Sequence, residues 1–226
     1  MEVNDEKLID LAMYNAYYVL TGKKVESDLI DKNLGSFLYN PINGRKSLYE
    51  NIDDVIVYTS DSEVVNNIDE SLDISIQKRP QKFNSDSSTF SIIMNEAIKL
   101  VDSKYVLYFC VTSPFIKKES IEDMIKNVKL GNYDSSFTVK NVHNFCWYNN
   151  KPINYNPHKV PFTQDLQPIL EETSGLYIFE KDLYVKYKRR IGYRPYLKTV
   201  SKVEGHDIDY PIDFELAKFY LENNLA

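Results

Sequence analysis

The chain has 226 residues, enough for one sizeable domain with a core of its own. Apolar residues make up 43% and charged residues 27%, the balance of an ordinary globular protein. The net charge of −6 argues against a nucleic-acid partner, which needs a basic face.

The opening Met1-Glu2-Val3-Asn4-Asp5-Glu6 is acidic and lacks a signal-peptide core. Residues 5–18 fit a helix. Residues 54–59, Asp-Val-Ile-Val-Tyr-Thr, predict a buried parallel strand, and Ile74-Ser75-Ile76 a short one. Phe90, Ile93, Met94, Ala97, Ile98 and Val101 fall at helical spacing, so this helix packs one face on a sheet. Residues 105–112 form the strongest central strand, stopped by Thr112-Ser113-Pro114. Its apolar run, residues 106–111, is too short to cross a membrane. Ile121, Met124, Ile125 and Val128 mark the next helix.

Between 134 and 168 the pattern changes. Ser136-Phe137-Thr138-Val139 and Phe145-Cys146-Trp147-Tyr148 alternate like strands, Asn149-Asn150-Lys151-Pro152 predicts a hairpin turn, and four prolines interrupt the rest. The segment reads as a β-rich excursion from the main sheet. Leu176-Tyr177-Ile178-Phe179 returns to the core. The cations Lys186, Lys188, Arg189, Arg190 and Arg194 decorate a helix end, where they suit the dipole. An amphipathic helix then runs from Pro211 to Asn223. This alternation of strand and helix argues for an α/β sheet.

Cys110 and Cys146 form no CxxC or zinc pattern and fit buried thiols in a reducing cytoplasm. His143, His158 and His206 are not spaced as a metal site or triad; His206 abuts the pair Asp207 and Asp209, which leaves a supporting role behind it open, but a solvent-facing loop residue is the expected reading. The most informative stretch is Asp207-Ile208-Asp209 before Pro211. On an extended backbone two carboxylates two residues apart share a side, where they can offer hard oxygen ligands to Mg²⁺. The motif reads as a strand end, with Pro211 in the first helical turn. Spacing alone fits equally well a pair of solvated acids favouring a helix N-terminus.

Four segments then occur in order: Arg79-Pro80 with Asp86 before the Thr89 helix; Thr112-Ser113-Pro114; Thr163-Gln164-Asp165-Leu166 before Thr173-Ser174-Gly175-Leu176-Tyr177-Ile178-Phe179; and Asp207-Ile208-Asp209 before Asp213-Phe214-Glu215-Leu216-Ala217. In order and spacing they resemble the acylneuraminate cytidylyltransferases, the CMP-sialic acid synthetases, and their CMP-Kdo relatives, from about Lys32 to the end. Each motif is weak singly; the order makes them specific. The resemblance implies an α/β fold with a mostly parallel, Rossmann-like nucleotidyltransferase sheet flanked by helices. It is expected as a single domain over 1–226, with 134–168 as a β-rich dimerisation and sugar-side insertion. It implies transfer of CMP from CTP to an acidic sugar of nonulosonic type, with release of pyrophosphate, for surface glycan synthesis. Mg is the implied cofactor. CTP, the sugar and a second copy of the chain are the implied partners, with no nucleic acid and no membrane.

Residue by residue, Asp207 and Asp209 match the family's metal-binding pair. Arg79 matches an arginine near the cytosine, and Asp86, Ser88 and Thr89 match a stretch that holds the nucleoside. Lys32-Asn33 resembles the close of the phosphate loop. Gln164 and Asp165 match the sugar side. The departures are specific. The family's Ala-Arg-x-Gly-Ser-Lys loop is not recognisable around residues 17–27, which leaves Lys23 and Lys24 as candidates to face the phosphates, opposed by Glu26 and Asp28. At the substrate positions Cys110 stands for a glutamine, Thr163 for an arginine, and Thr173-Ser174-Gly175 for Asn-Gly-Ala. Tyr210 replaces a threonine able to cap the last helix. These changes keep two rivals open: a catalytically weak homologue acting as a binding or regulatory subunit, and a CMP-transferase for a different acid or phosphonate.

Overall fold

The computed structural model describes residues 56–60, 62, 75–84, 88–110 and 112–226. The helix expected over residues 5–18 lies outside them. Two short strands, β1 (Ile56–Thr59) and β2 (Ser75–Lys78), pair in parallel. Helix α1 (Phe90–Ala97) continues as a 3-10 turn (Ile98–Leu100) into β3 (Tyr105–Phe109). Then come α2 (Lys118–Lys129), β4 (Ser135–Val142), the two-residue strands β5 (Trp147–Tyr148) and β6 (Lys151–Pro152), β7 (Ile169–Glu180), α3 (Lys181–Tyr187), β8 (Pro195–Thr199) and α4 (Pro211–Glu222).

The main sheet has the order β3-β7-β4-β8. Strands β3, β4 and β8 run one way, and β7 runs against both of its neighbours. The α/β sheet flanked by helices is thus the expected one, with one reversed strand inside it. The reason lies in the connection: β7 returns from the excursion beside β4 without a crossover helix, which only an antiparallel neighbour permits.

The two faces of β7 build two cores. Leu176 and Ile178 meet the apolar stripe of α2, namely Ile121, Met124, Ile125 and Val128. Tyr177 and Phe179 on the other face meet Phe137 and Val139 of β4, Met94 of α1, Ile98 and Tyr184 of α3. A strand apolar on both faces belongs inside a three-layer sandwich. A third, small cluster of Phe115, Ile208, Phe214 and Ala217 seats α4.

Three expectations need correcting. Strand β4, counted with the excursion, is an inner strand of the main sheet, so the chain leaves the sheet only after Val142. Its first five residues are all buried, which an outlying hairpin does not provide. Strand β3 stops at Phe109, before Thr112, and among the described residues its sheet partner is β7. The aspartate motif is loop, not strand end. The ladder of β8 closes with Val200 N–H donating to Val139 C=O, and a turn at 202–205 intervenes.

The excursion does contain the expected hairpin. Asn149 and Asn150 both take positive φ, 47° and 61°, which a two-residue type I′ turn demands and asparagine tolerates. The cationic run meets the dipole reading only at its start: Arg190 turns to the sheet, where it pairs with Glu172, and Arg194 leads into β8. Helix α3 ends at Lys188 in the left-handed region, and Lys186 lies in its last turn.

Candidate active site

The site is assembled where β3 and β8 end, beside the irregular middle of β7. Beyond β3, Cys110 N–H donates to Gly175 C=O at 2.8 Å, and Ser113 N–H donates to Cys110 C=O at 3.1 Å. This holds Thr112-Ser113-Pro114 against β7. Opposite it, β7 bulges. Between the pairs Phe137↔Tyr177 and Val139↔Glu172, the single β4 residue Thr138 faces residues 173–176. Such an irregularity re-aims side chains. Ser174 sits at its corner with φ 60°. Gly175 passes so close to the serine loop that a Cβ there would lie 2.9 Å from Ser113 Oγ.

The segment from Gly205 to Tyr210 lies against this bulge. A Cβ on Gly205 would come within 2.8 Å of Thr173 Cγ2. Ile208 is buried in the α4 cluster, and its N–H donates to Thr112 C=O at 3.0 Å. Burying that side chain contributes about 1.5–3 kcal/mol. Ile208 is turned into the core, while Asp207 on one side of it is half-buried and Asp209 on the other is exposed. Ser113 Oγ donates to Asp207 Oδ1 at 3.3 Å. Burial holds the Asp209 carboxyl above the usual carboxylate range, and the charges of Asp207 and Asp213 add to the shift. Three acids therefore share one field.

The cap of α4 is built differently from the expected threonine cap. Tyr210 makes no side-chain cap, but the Asp213 carboxylate reaches back to accept from Tyr210 N–H at 2.9 Å and Asp209 N–H at 3.2 Å. This is the acidic half of a capping box. His206, expected in solvent, is buried, because its ring packs against Phe115 and Tyr220.

The other predicted residues divide clearly. Arg79 follows β2 and donates through Nη2 to Asn84 Oδ1 at 3.1 Å and Ser60 Oγ at 3.3 Å. Ser60 in turn donates to Asn84 at 2.7 Å. Arg79 is therefore not a free surface cation. Its Nε is buried and has no hydrogen-bond partner among the described residues. Ser88 Oγ lies 3.5 Å from Lys82 C=O. Thr89 is the N-cap of α1 with no side-chain bond to the helix. Phe90 then packs edge-on against Tyr108 at 5.1 Å, and Tyr108 shares the electrostatic field of Asp207. Through Phe90, helix α1 thus brings Ser88 and Thr89 up to the sheet.

Cys110 is half-buried, its Sγ 3.2 Å from Thr112 Oγ1. Thr173, expected to bind substrate, is buried, and its hydroxyl is committed to Thr138 Oγ1 at 2.6 Å and Thr138 C=O at 3.2 Å. It closes the bulge instead. Gln164 and Asp165 lie exposed on a 3-10 turn of the excursion. Lys23, Lys24, Lys32, Asn33 and Asp86 lie outside the described residues.

Sequence reasoning missed three groups. Ser113 carries only a turn signal in the sequence, although it stands inside the Thr-Ser-Pro motif. Ser60 and Asn84 carry no signal, because their role depends on bringing β1 beside β2. The third is a polar knot on the sheet. Arg190 stacks over Tyr177 at 3.7 Å and Phe90 at 4.6 Å, donates to Tyr177 Oη at 2.9 Å and pairs with Glu172 at 3.3 Å. Tyr177 Oη also bonds Glu172. Burial and that carboxylate push the Tyr177 phenol well up, and burial pushes Tyr108 up to about 12.

The mixed α/β sheet flanked by helices has the fold of the nucleotidyltransferases it is similar to. Residues 27–225 match the family model described as cytidylyltransferase, and the chain belongs to that family. It is 24% identical over 185 residues to N-acylneuraminate cytidylyltransferase A of Danio rerio. That match covers 77% of this chain and 42% of the relative, so the chain spans less than half the length of that curated protein. In fold it is similar to 4-diphosphocytidyl-2C-methyl-D-erythritol synthase from Anaerococcus prevotii, with TM-score 0.54, 17% identity and coverage of 88% and 92% of the two chains. It is equally similar to a CMP:2-keto-3-deoxy-manno-octonic acid synthetase complexed with CTP, with TM-score 0.54, 13% identity and coverage of 84% and 92%.

Proposed function

We propose that this chain transfers CMP from CTP to an acidic sugar of nonulosonic type, releasing pyrophosphate, as a Mg²⁺-dependent cytoplasmic enzyme of surface glycan synthesis. The observation that carries the reading is the aspartate pair, set on either side of the buried Ile208 and tied to the β3 loop by Ser113. The donor set fits Mg²⁺, which commonly takes one or two carboxylates and completes its shell with substrate phosphates and water. Burial, and after it the charges of Asp207 and Asp213, hold the Asp209 carboxyl above its usual range, and a bound cation would offset the part due to those charges.

In this reading Asp207 and Asp209 hold the metal, and the metal supplies charge neutralisation at the α-phosphate. Arg79, fixed by Ser60 and Asn84, is assigned to the base. The acceptor hydroxyl oxygen bonds the α-phosphorus as the bond to the bridging oxygen breaks, and pyrophosphate departs, its net charge reduced by the proton released from the acceptor hydroxyl. No covalent intermediate on the protein is needed. The work is positioning and electrostatic stabilisation. Lys23, Lys24, Lys32 and Asn33 are assigned to the phosphates, Asp86, Ser88 and Thr89 to the nucleoside, and Gln164 and Asp165 to the sugar side.

The second copy is proposed from the excursion. Trp147 is 56% and Phe162 72% exposed, so these aromatics do not belong to the core of one subunit. Aromatic residues are enriched in interface centres, and a self-complementary patch is the common route to a closed dimer.

A different acid as acceptor is the second reading. It is favoured by the Thr173 hydroxyl being bonded to Thr138 and by Cys110 standing beside Thr112. The test is pyrophosphate release from CTP, UTP, ATP and GTP with Mg²⁺ and a panel of acidic sugars and phosphonates. Release with CTP and a nonulosonic acid is expected. Release only with another acid selects the second reading, and no release with any pair leaves the non-catalytic homologue.

A further inference from the structure

The segment that carries the two aspartates is fixed at its middle by Ile208, through the α4 cluster and the bond to Thr112. A central anchor does not set the two carboxylates relative to each other. That depends on the ends. At the far end the Asp213 carboxylate accepts from Asp209 N–H and Tyr210 N–H. At the near end stands His206, 9% exposed, with Phe115 and Tyr220 against its ring. Its Nε2 lies 2.7 Å from Asp213 C=O. A carbonyl only accepts, so Nε2 carries the hydrogen. Asp213 is thus held at its backbone by His206, while its carboxylate holds the backbone of residues 209 and 210. The contacts form a closed ring through 206, 213, 209 and 210, with both aspartates on it. The turn before it is equally constrained, since His206 N–H donates to Val203 C=O at 3.1 Å and Gly205 has no room for a Cβ beside Thr173.

We infer that His206 is a positioning residue for the aspartate pair: its Nε2–H bond to the Asp213 carbonyl sets the separation at which Asp207 and Asp209 meet a divalent cation. The inference rests on the metal-binding reading of that pair. The nearest residues that shape a metal site through its ligands typically change affinity 10–100-fold when removed. His206 acts through one neutral hydrogen bond, so the low end applies.

Two variants separate this role from packing. His206→Phe keeps a ring between Phe115 and Tyr220 and removes the donor. His206→Gln restores an N–H near the Nε2 position. Mn²⁺ binding to the full chain with CTP and no acceptor is read from the free-ion spin-resonance signal, with melting temperature measured alongside. His206→Phe is expected to weaken Mn²⁺ binding about 10-fold, with His206→Gln within about twofold of the original chain. CTP affinity at saturating Mn²⁺ stays unchanged. Unaltered Mn²⁺ binding in His206→Phe overturns the inference. So does equal loss in both variants accompanied by equal drops in melting temperature, which marks a packing role. If the original chain and Asp209→Asn bind Mn²⁺ alike, the metal reading itself fails, and the inference with it.

Discussion

Gly175 is the position at which the geometry makes its sharpest demand. An added Cβ would lie 2.9 Å from Ser113 Oγ, 3.0 Å from Ser113 Cβ and 3.1 Å from Ile116 Cδ1. Ser113 is 1% exposed and Ile116 belongs to the α2 core, so neither neighbour can move without cost. Overpacking of this kind costs about 1–3 kcal/mol. A loss of about 2 kcal/mol lowers the melting temperature by about 4–8 °C at this chain length. The relief open to the structure is to push Ser113 outward, which lengthens its bond to Asp207. Gly175→Ala should therefore lower stability and raise the Mg²⁺ concentration for half-maximal activity together. Two companions sharpen the test. Gly131→Ala is strained by its φ of 75° but meets nothing within 4 Å, so it should cost about 1 kcal/mol and leave metal dependence alone. Ser174→Gly relieves a left-handed serine but loses its side-chain bond to Tyr177 and frees the unfolded chain, so its net effect should stay within about 1 kcal/mol of zero. With Gly at 174 the bulge can shift, so the double variant Ser174→Gly/Gly175→Ala should lose less than the two single effects sum to. Urea unfolding with metal titration checks all four proteins. A Gly175→Ala chain as stable as the original, with the same metal dependence, refutes the packing argument.

Three further outcomes are expected from the contacts described above. The raised carboxyl of Asp209 means that the folded chain keeps its proton to higher pH than the unfolded chain does, so its ionisation costs stability as pH rises through the raised value. Asp209→Asn should then melt higher than the original chain at pH 8 and no higher at pH 4, while turnover falls about 10²–10³-fold; equal melting at pH 8 would sink the electrostatic account. Asp123 accepts from Lys198 at 2.9 Å and Tyr196 at 2.7 Å. Burial pushes its carboxyl up, but the bonds from Lys198, Tyr196 and Asn127 outweigh that and hold it below the usual range. That stability is present above the unfolded carboxylate pKa and lost as pH falls through the lowered one. Asp123→Asn should cost about 1 kcal/mol at pH 7 in denaturant unfolding, with the gap closing as pH falls through the lowered carboxyl range. Trp147→Ala removes an exposed side chain and should leave unfolding of one subunit unchanged while weakening association. Light scattering that shows no shift in mass at any concentration would exclude Trp147 as an interface anchor.

Much of the framework was legible along the chain because it is written in short-range periodicity. The helical stripe of Ile121, Met124, Ile125 and Val128, the turn at Asn149-Asn150 and the proline entry to α4 each depend on neighbours a few residues away. The aspartate pair was legible for the same reason: its spacing and the apolar residue between them are local. What the tertiary structure decided depends on residues far apart in sequence. The reversal of β7 and the place of β4 inside the sheet are matters of which strand finds which partner. Ser113 becomes a donor to Asp207 only because β3 and the loop after β8 meet across 94 positions. His206 is buried only because Phe115 and Tyr220 arrive from two other segments. Thr173 loses its hydroxyl to Thr138 only because β7 bulges opposite β4. A side chain's type and spacing set what it can do. Which of those capacities is used, and which is satisfied internally, is settled by long-range packing, where hydrogen-bond partners are assigned by proximity in space.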